Sequence, residues 1–194
     1  MRHWTFHPLV FYPLAALLAA AFILISLKPQ AWPREPAPVA GQVVDGSIVF
    51  EGMGFNTPDD SPEQDMTVER DFWGNPLALH IAQLPNQPLP TPAEQGVRIL
   101  MTPEQLAMIE DKPLTIEVSY EPLQVNPSSA LAVSIQSIGP ATWITQTTPA
   151  EPSTVRFEMP AQFAVTGIGL RAIAGGADQA YGIKITRIRI TPHA

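Results

Sequence analysis

Seven side chains have the chemistry to meet a ligand: Trp73, His80, Arg98, Tyr120, Trp143, Arg171 and Tyr181. Indole and phenol rings offer apolar faces on which the C–H face of a sugar ring can lie, while imidazole and guanidinium groups exchange hydrogen bonds with its hydroxyls. Trp73 and Tyr181 stand in loop-like surroundings and are free to do this. Tyr120 and Trp143 stand in alternating segments that can also turn them into a core. His80 alternates with Leu79 and Ile81, so its ring faces the opposite side from theirs.

Catalytic chemistry is harder to assemble. There is no cysteine, which excludes disulfides, thiolate metal sites and a Cys nucleophile. Of the histidines His3, His7, His80 and His193, only His80 lies inside the body of the chain, so neither a Ser-His-acid triad nor a zinc site can be drawn. The run NTPDDSPEQDMTVERD holds Asp59, Asp60, Glu63, Asp65, Glu69 and Asp71, oxygen ligands of the kind Ca²⁺ takes. It lacks the glycine and terminal glutamate of an EF-hand loop and is expected to be a solvated acidic loop with no metal. GIGLRAIAGG is followed by another strand, whereas a dinucleotide cradle needs a helix there; its glycines are expected to relieve crowding. No spacing pairs two carboxylates for glycoside hydrolysis. The expectation is a protein without catalytic residues or cofactor.

Positioning begins at the N-terminus. Leu9 to Leu27 is a run of 19 residues without a charge. At about 1.5 Å per helical residue it reaches across a hydrocarbon core of roughly 30 Å. Lys28 and Pro29 follow at once with no small-x-small cleavage site, so residues 9–27 are read as an uncleaved single-pass contact with the lipid bilayer. Trp4, Tyr12 and Trp32 lie near its ends, where interfacial aromatics collect. Arg2 on one side and Lys28 and Arg34 on the other leave the positive-inside rule nearly balanced. The short N-terminal tail favours a signal anchor in the bacterial inner membrane with the C-terminal part in the periplasm. Residues 41–194 carry 8 Lys or Arg against 17 Asp or Glu, a formal −9, which excludes nucleic acid as a partner. Three segments are expected: tail and anchor at 1–28, a linker at 29–41 stiffened by Pro29, Pro33, Pro36 and Pro38, and one domain at 42–194.

Within that domain polar and apolar residues alternate. LALHIAQ, VRILM, LTIEVSY, ALAVSIQS, ATWITQ, TVRFEM, GIGLRAIA and IKITRIRI predict eight strands. In the last, Ile183 and Ile185 share a phase that Ile188 and Ile190 do not, and one extra residue near Thr186 and Arg187 would repair it as a bulge. TPEQLAMIEDK predicts one short helix, capped by Thr102, with Pro103 at its first position and Gln105 completing a capping box. Strands without a βαβ rhythm predict an all-β, two-sheet β-sandwich.

The order DKPLTIEVSY, ALAVSIQS, ATWITQ, TVRFEMP, GIGLRA, GIKITRIRITP resembles the jelly roll of galactose-binding-like domains and carbohydrate-binding modules over roughly residues 47–192. The resemblance implies a jelly-roll β-sandwich and sugar binding on a sheet face or at loop tips; the fold alone does not give function. Two functions are expected from this. The first is a membrane-anchored, exported, non-catalytic module that binds or helps assemble envelope carbohydrate. The second is an accessory subunit whose span, with Ala15, Ala16, Ala19, Ala20 and Ala21, packs against a larger membrane-protein partner.

Overall fold

Alternation of polar and apolar residues yields eleven strands among the residues that the computed structural model describes, 7–26, 41–55, 58, 61, 64–85, 95–138, 141–173 and 179–193. They are β1 (Gln42–Val44), β2 (Ser47–Glu51), β3 (Gln64–Arg70), β4 (Pro76–Gln83), β5 (Val97–Leu100), β6 (Leu114–Pro122), β7 (Ala130–Gln136), β8 (Thr142–Thr147), β9 (Ser153–Met159), β10 (Gly167–Ile173) and β11 (Tyr181–Pro192). The α-helices are α1 (Pro8–Ser26) and α2 (Pro103–Ile109), and Gly52–Phe55 forms a short 3-10 helix. The expected linker falls outside the described residues, apart from Gly41.

By contact the chain divides into two units. One is Met1–Glu35 with Arg70–Asn75, and the other is Pro36–Glu69 with Pro76–Ala194. In the first, α1 is 19 residues of PLVFYPLAALLAAAFILIS, with a mean hydropathy of 2.4 and none of its residues buried. That is long and apolar enough to cross a membrane or to serve as a signal sequence.

The second unit is a β-sandwich. Its larger sheet runs β1-β2-β11-β4-β3, with β6 on the other edge of β11 and β9 beyond β6; its smaller sheet runs β5-β10-β7-β8. From β5 onward the chain repeatedly changes sheet, the jelly-roll way of connecting strands. The fully buried inner faces carry Ile48, Phe50, Leu79, Ile81, Ile116 and Phe157 from the larger sheet and Leu131, Val133, Ile168 and Leu170 from the smaller. α2 has the expected capping box. Thr102 Oγ1 accepts from the Gln105 N–H at 3.3 Å, and Gln105 Oε1 accepts from the Thr102 N–H at 3.0 Å. Gln105 Nε2 also donates to the Gly41 carbonyl at 2.6 Å, fixing the first residue of the body.

β11 organises the larger sheet. One edge pairs with β6 along its length, while the other is divided between β4, opposite Tyr181–Ile185, and β2, opposite Arg187–Ile190. The register shifts between Ile185 and Arg187, where the sequence calls for the extra residue. Thr186 is that residue, and its hydroxyl donates to the Ser119 carbonyl at 3.2 Å. Ile183, Ile185, Ile188 and Ile190 are therefore all inside.

Three strands go beyond the eight expected. β1 and β2 form a hairpin closed by Asp45 and Gly46, with φ of 50° and 72°, the left-handed pair of a two-residue turn. β3 occupies the second half of the run expected to be an acidic loop. Met66 and Val68 pack on the core, and Asp65, Thr67 and Glu69 face outward. Asp59, Asp60 and Glu63 lie outside the described residues.

Deleting Thr186 forces one isoleucine pair toward solvent and is expected to cost more than about 4 kcal/mol, at least as much as Ile188→Ala at about 2–5 kcal/mol. Denaturant unfolding of the two variants checks this; a deletion as stable as the parent chain would refute the bulge's role.

Candidate functional site

The structure distributes the seven sequence-predicted residues over separate places. Tyr120 is a core residue: it is 2% exposed and its hydroxyl donates to the Pro149 carbonyl at 2.9 Å. Burial raises the pKa of its phenol. It presents no surface to a ligand, because β6 turns Leu114, Ile116, Val118 and Tyr120 inward together. Tyr181 opens β11 opposite Gln83, half-buried and in phase with Ile183.

Arg98, Trp143 and Arg171 do come together, on the outer face of the smaller sheet. Trp143 pairs with Ser134, Ser134 with Gly169, and Gly169 with Arg98, one row across four strands. The Arg171 guanidinium carbon stands 4.2 Å from the Trp143 ring centroid, a cation–π contact. Ser134, Gln136 and Arg171 are buried on this face, while Arg98 and Trp143 are half-buried. Gln136 Nε2 bridges the Gln95 carbonyl at 3.1 Å and Ser134 Oγ at 2.7 Å. A Cβ on Gly169 would meet Ser134 Oγ at 2.8 Å, so that glycine relieves crowding as expected. The row packs the protein against itself.

Trp73 lies in the turn between β3 and β4, edge-on to Phe72 with ring centroids 5.1 Å apart. Asp71 holds this turn. Its carboxylate accepts from the Asn75 side chain and backbone N–H at 2.8 Å each, which keeps its pKa below the usual carboxylate range.

His80 leads to the open polar face, the outer side of the larger sheet. It pairs with Lys184, which pairs with Glu121. Lys184 Nζ sits 2.9 Å from Glu69 and 3.1 Å from Glu121. Hydrogen bonds to Glu69 first and Glu121 second raise its pKa above that of an ordinary lysine. Beside it a cleft of about 330 Å³ is lined by Thr67, Glu69, His80, Leu123 and Lys184. His80 Nε2 is buried there without a hydrogen-bond partner among the described residues.

Past the bulge the same face continues. Arg189 pairs with Glu117 and Glu117 with Arg156; Arg187 pairs with Ser119 and Ser119 with Thr154. A second cleft, about 280 Å³, is lined by Glu117, Ser119, Thr154, Arg187 and Arg189. Ser119 and Thr154 share a hydrogen bond of 2.8 Å, and Arg187 Nε lies 3.3 Å from Glu51. Arg189 Nε is buried with no partner among the described residues. Of these residues the sequence marks His80 as a candidate, Glu69 only within the acidic run and Arg187 only at the bulge; alternation marks the rest as outward-facing but not as neighbours.

One arrangement on this face superficially resembles a catalytic one. Thr115 Oγ1 lies 2.6 Å from His193 Nε2 and donates to Glu158 Oε2 at 2.8 Å. With its only proton given to Glu158, the hydroxyl accepts from the imidazole. The carboxylate thus holds the hydroxyl and not the imidazole, the reverse of a nucleophilic triad, and Thr115 is buried. Thr115 first and Arg156 second hold the Glu158 carboxyl below its usual range. No group of three or more metal-ligating side chains forms among the described residues.

No protein-family model and no curated protein matches the chain. Solved structures similar to it include carbohydrate-binding modules. The structure described as "BiXyn10A CBM1 APO" is 13% identical, with 79% of this chain and 100% of that chain covered, at a TM-score of 0.48. A β-(1,4)-mannanase of Podospora anserina, GH26-CBM35, is 13% identical over 78% of this chain and 28% of its own, at a TM-score of 0.38. A structure described as "CBM4 structure and function" is 12% identical over 81% and 95%, at 0.27. At these identities the likeness is one of fold, and the class this chain's own strands define is the two-sheet β-sandwich.

Because the folded-state pKa of Lys184 is raised, the stability it contributes is complete below the unfolded value near 10.5 and is lost as pH rises through the higher folded value. The double variant Glu69→Gln, Glu121→Gln is therefore expected to be less stable by about 0.5–1 kcal/mol at pH 7, as for surface pairs. The difference is expected to shrink above pH 10.5, as measured by urea unfolding against pH. A difference that does not change with pH would show that Lys184 is not held by the two carboxylates.

Proposed function

We propose that this protein is a non-catalytic carbohydrate-binding module, tethered by α1 to the bacterial inner membrane with its sandwich in the periplasm, and that it holds envelope carbohydrate on the outer face of its larger sheet. The observation that carries the proposal is the cleft around Arg189. Its guanidinium and that of Arg187 are donors, the Glu117 carboxylate is an acceptor, and the Ser119 and Thr154 hydroxyls do both. Vicinal sugar hydroxyls, each a donor and an acceptor, match such a mixed set. A buried donor left unpaired costs about 1–3 kcal/mol, so a hydroxyl that accepts from Arg189 Nε relieves a penalty already present in the free protein.

Charge favours a neutral saccharide. In the second cleft the cations Arg187 and Arg189 are matched by Glu51 and Glu117, and in the first Lys184 stands between two carboxylates. No Phe, Tyr or Trp ring points from these strands' outer positions among the described residues, so recognition rests on hydrogen bonds more than on stacking. His80 and the apolar edge of Leu123 extend the site toward Lys184. Of the residues first expected to bind, His80 keeps that role. Arg98, Trp143 and Arg171 support the smaller sheet instead.

The test uses the full chain in lipid nanodiscs, which avoids sugar-headed detergents, against an array of neutral and acidic glycans. A saturable hit that weakens about tenfold or more in Arg189→Ala and in Glu117→Gln is expected, from the value of a hydrogen bond to a charged group. Trp143→Phe is expected to leave affinity unchanged. A hit lost in Trp143→Phe but kept in Arg189→Ala would move the site to the other sheet, and no hit at all would overturn the carbohydrate reading. For the tether, alkaline extraction of membranes is expected to leave the protein in the pellet.

A further inference from the structure

The cleft beside Lys184 owes its shape to the phase of β11. Ile183 and Ile185 turn inward, so Gly182 and Lys184 face outward with their β4 partners Ala82 and His80. A glycine and an alanine give the floor almost no side-chain height. A Cβ on Gly182 would meet His80 Nε2 at 3.0 Å, so the glycine leaves open the space beside the imidazole. Leu123 supplies an apolar wall, and the segment after it is fixed to the floor. Gly182 N–H donates to the Asn126 carbonyl at 3.1 Å, and Ser128 N–H donates to the Gly182 carbonyl at 2.8 Å. The polar groups are few: His80 Nε2, buried and without a partner among the described residues, and Lys184 Nζ held 2.9 Å from Glu69. This cleft adjoins the second one. Glu121, which holds Lys184, and Ser119, which lines the other, are two residues apart on β6, about 7 Å, so one oligosaccharide reaches both.

We propose that this cleft takes the acetamido group of an N-acetylated sugar, an assignment that rests on the outer face binding carbohydrate as proposed above. A hydroxyl could pair with His80 but would leave Leu123 and the methylene stem of Lys184 against water. A charged substituent gains little, because Lys184 already stands between Glu69 and Glu121. An acetamido group is neutral and meets every part of the lining. Its methyl covers Leu123. Its carbonyl accepts and its N–H donates, so one of the two pairs with His80 Nε2 in either tautomer of the imidazole, and the other finds Lys184 or Glu69. The buried nitrogen thereby gains the partner that the free protein does not give it.

The full chain in lipid nanodiscs is titrated with matched pairs of neutral oligosaccharides that differ only in an acetamido group or a hydroxyl on the same ring carbon, glucose against N-acetylglucosamine and galactose against N-acetylgalactosamine. In at least one pair the acetamido member is expected to bind about tenfold more tightly, from one buried methyl and one hydrogen bond. His80→Leu and Leu123→Ser are each expected to close that gap. The ratio within one variant does not depend on how much of it is folded, because both members of a pair read the same folded population. Equal affinity within every pair, or a gap that survives either substitution, overturns the acetamido assignment while the sugar-binding reading stands. Binding in no pair overturns it as well, and a wider glycan array that also stays empty shows that the sugar-binding reading has fallen with it.

Discussion

One residue, Thr186, sets the phase of the strand on which the larger sheet is built. Four isoleucines of β11 have to reach the interior, and no strict two-residue alternation can deliver both Ile183 with Ile185 and Ile188 with Ile190. Each is worth about 1.5–3 kcal/mol when buried, so the extra residue is retained despite its broken ladder. The Thr186 hydroxyl offsets part of that break through the Ser119 carbonyl. The outward residues are fixed by the same shift, which sends Lys184 to one side of the bulge and Arg187 and Arg189 to the other. The two clefts therefore follow from the demands of the core.

Phase was legible in the sequence and partnership was not. The bulge, the capped helix, the inward turn of the β6 row and the outward turn of His80 all follow from counting residues along one segment. The clefts need strands brought together from distant parts of the chain. Glu69 comes from β3, Glu117 and Glu121 from β6, Thr154 from β9, and no local pattern announces that they share a face. Tyr120 shows the cost of choosing residues by type: the ring suggested a ligand, but the alternation that includes Val118 had already placed it inside. Trp143, Arg98 and Arg171 illustrate the complementary case: they share the outer face of the smaller sheet, Arg171 buried and the other two half-buried. β1 and β2 carried their own signal, Asp45-Gly46 between apolar residues, whereas β3 was hidden because its outward positions are largely acidic.

The charge of the body is distributed unevenly. Residues 41–194 hold 8 basic side chains, and four of them, Arg156, Lys184, Arg187 and Arg189, stand on the outer face of the larger sheet. Nearly every one has a carboxylate beside it, Glu158, Glu69, Glu121 or Glu51. Such pairs contribute little to stability in water. They keep several long side chains extended in defined positions, which pre-organises donors and acceptors without giving the face a strong field of either sign.

The pivot of the larger sheet follows all its partners in sequence among the described residues. β2, β4 and β6 have partners of their own in β1, β3 and β9, but only β11 joins these three pairs into one layer. Such long-range closure is slow to form. Until it closes, the edges that β11 will cover stay open to other strands.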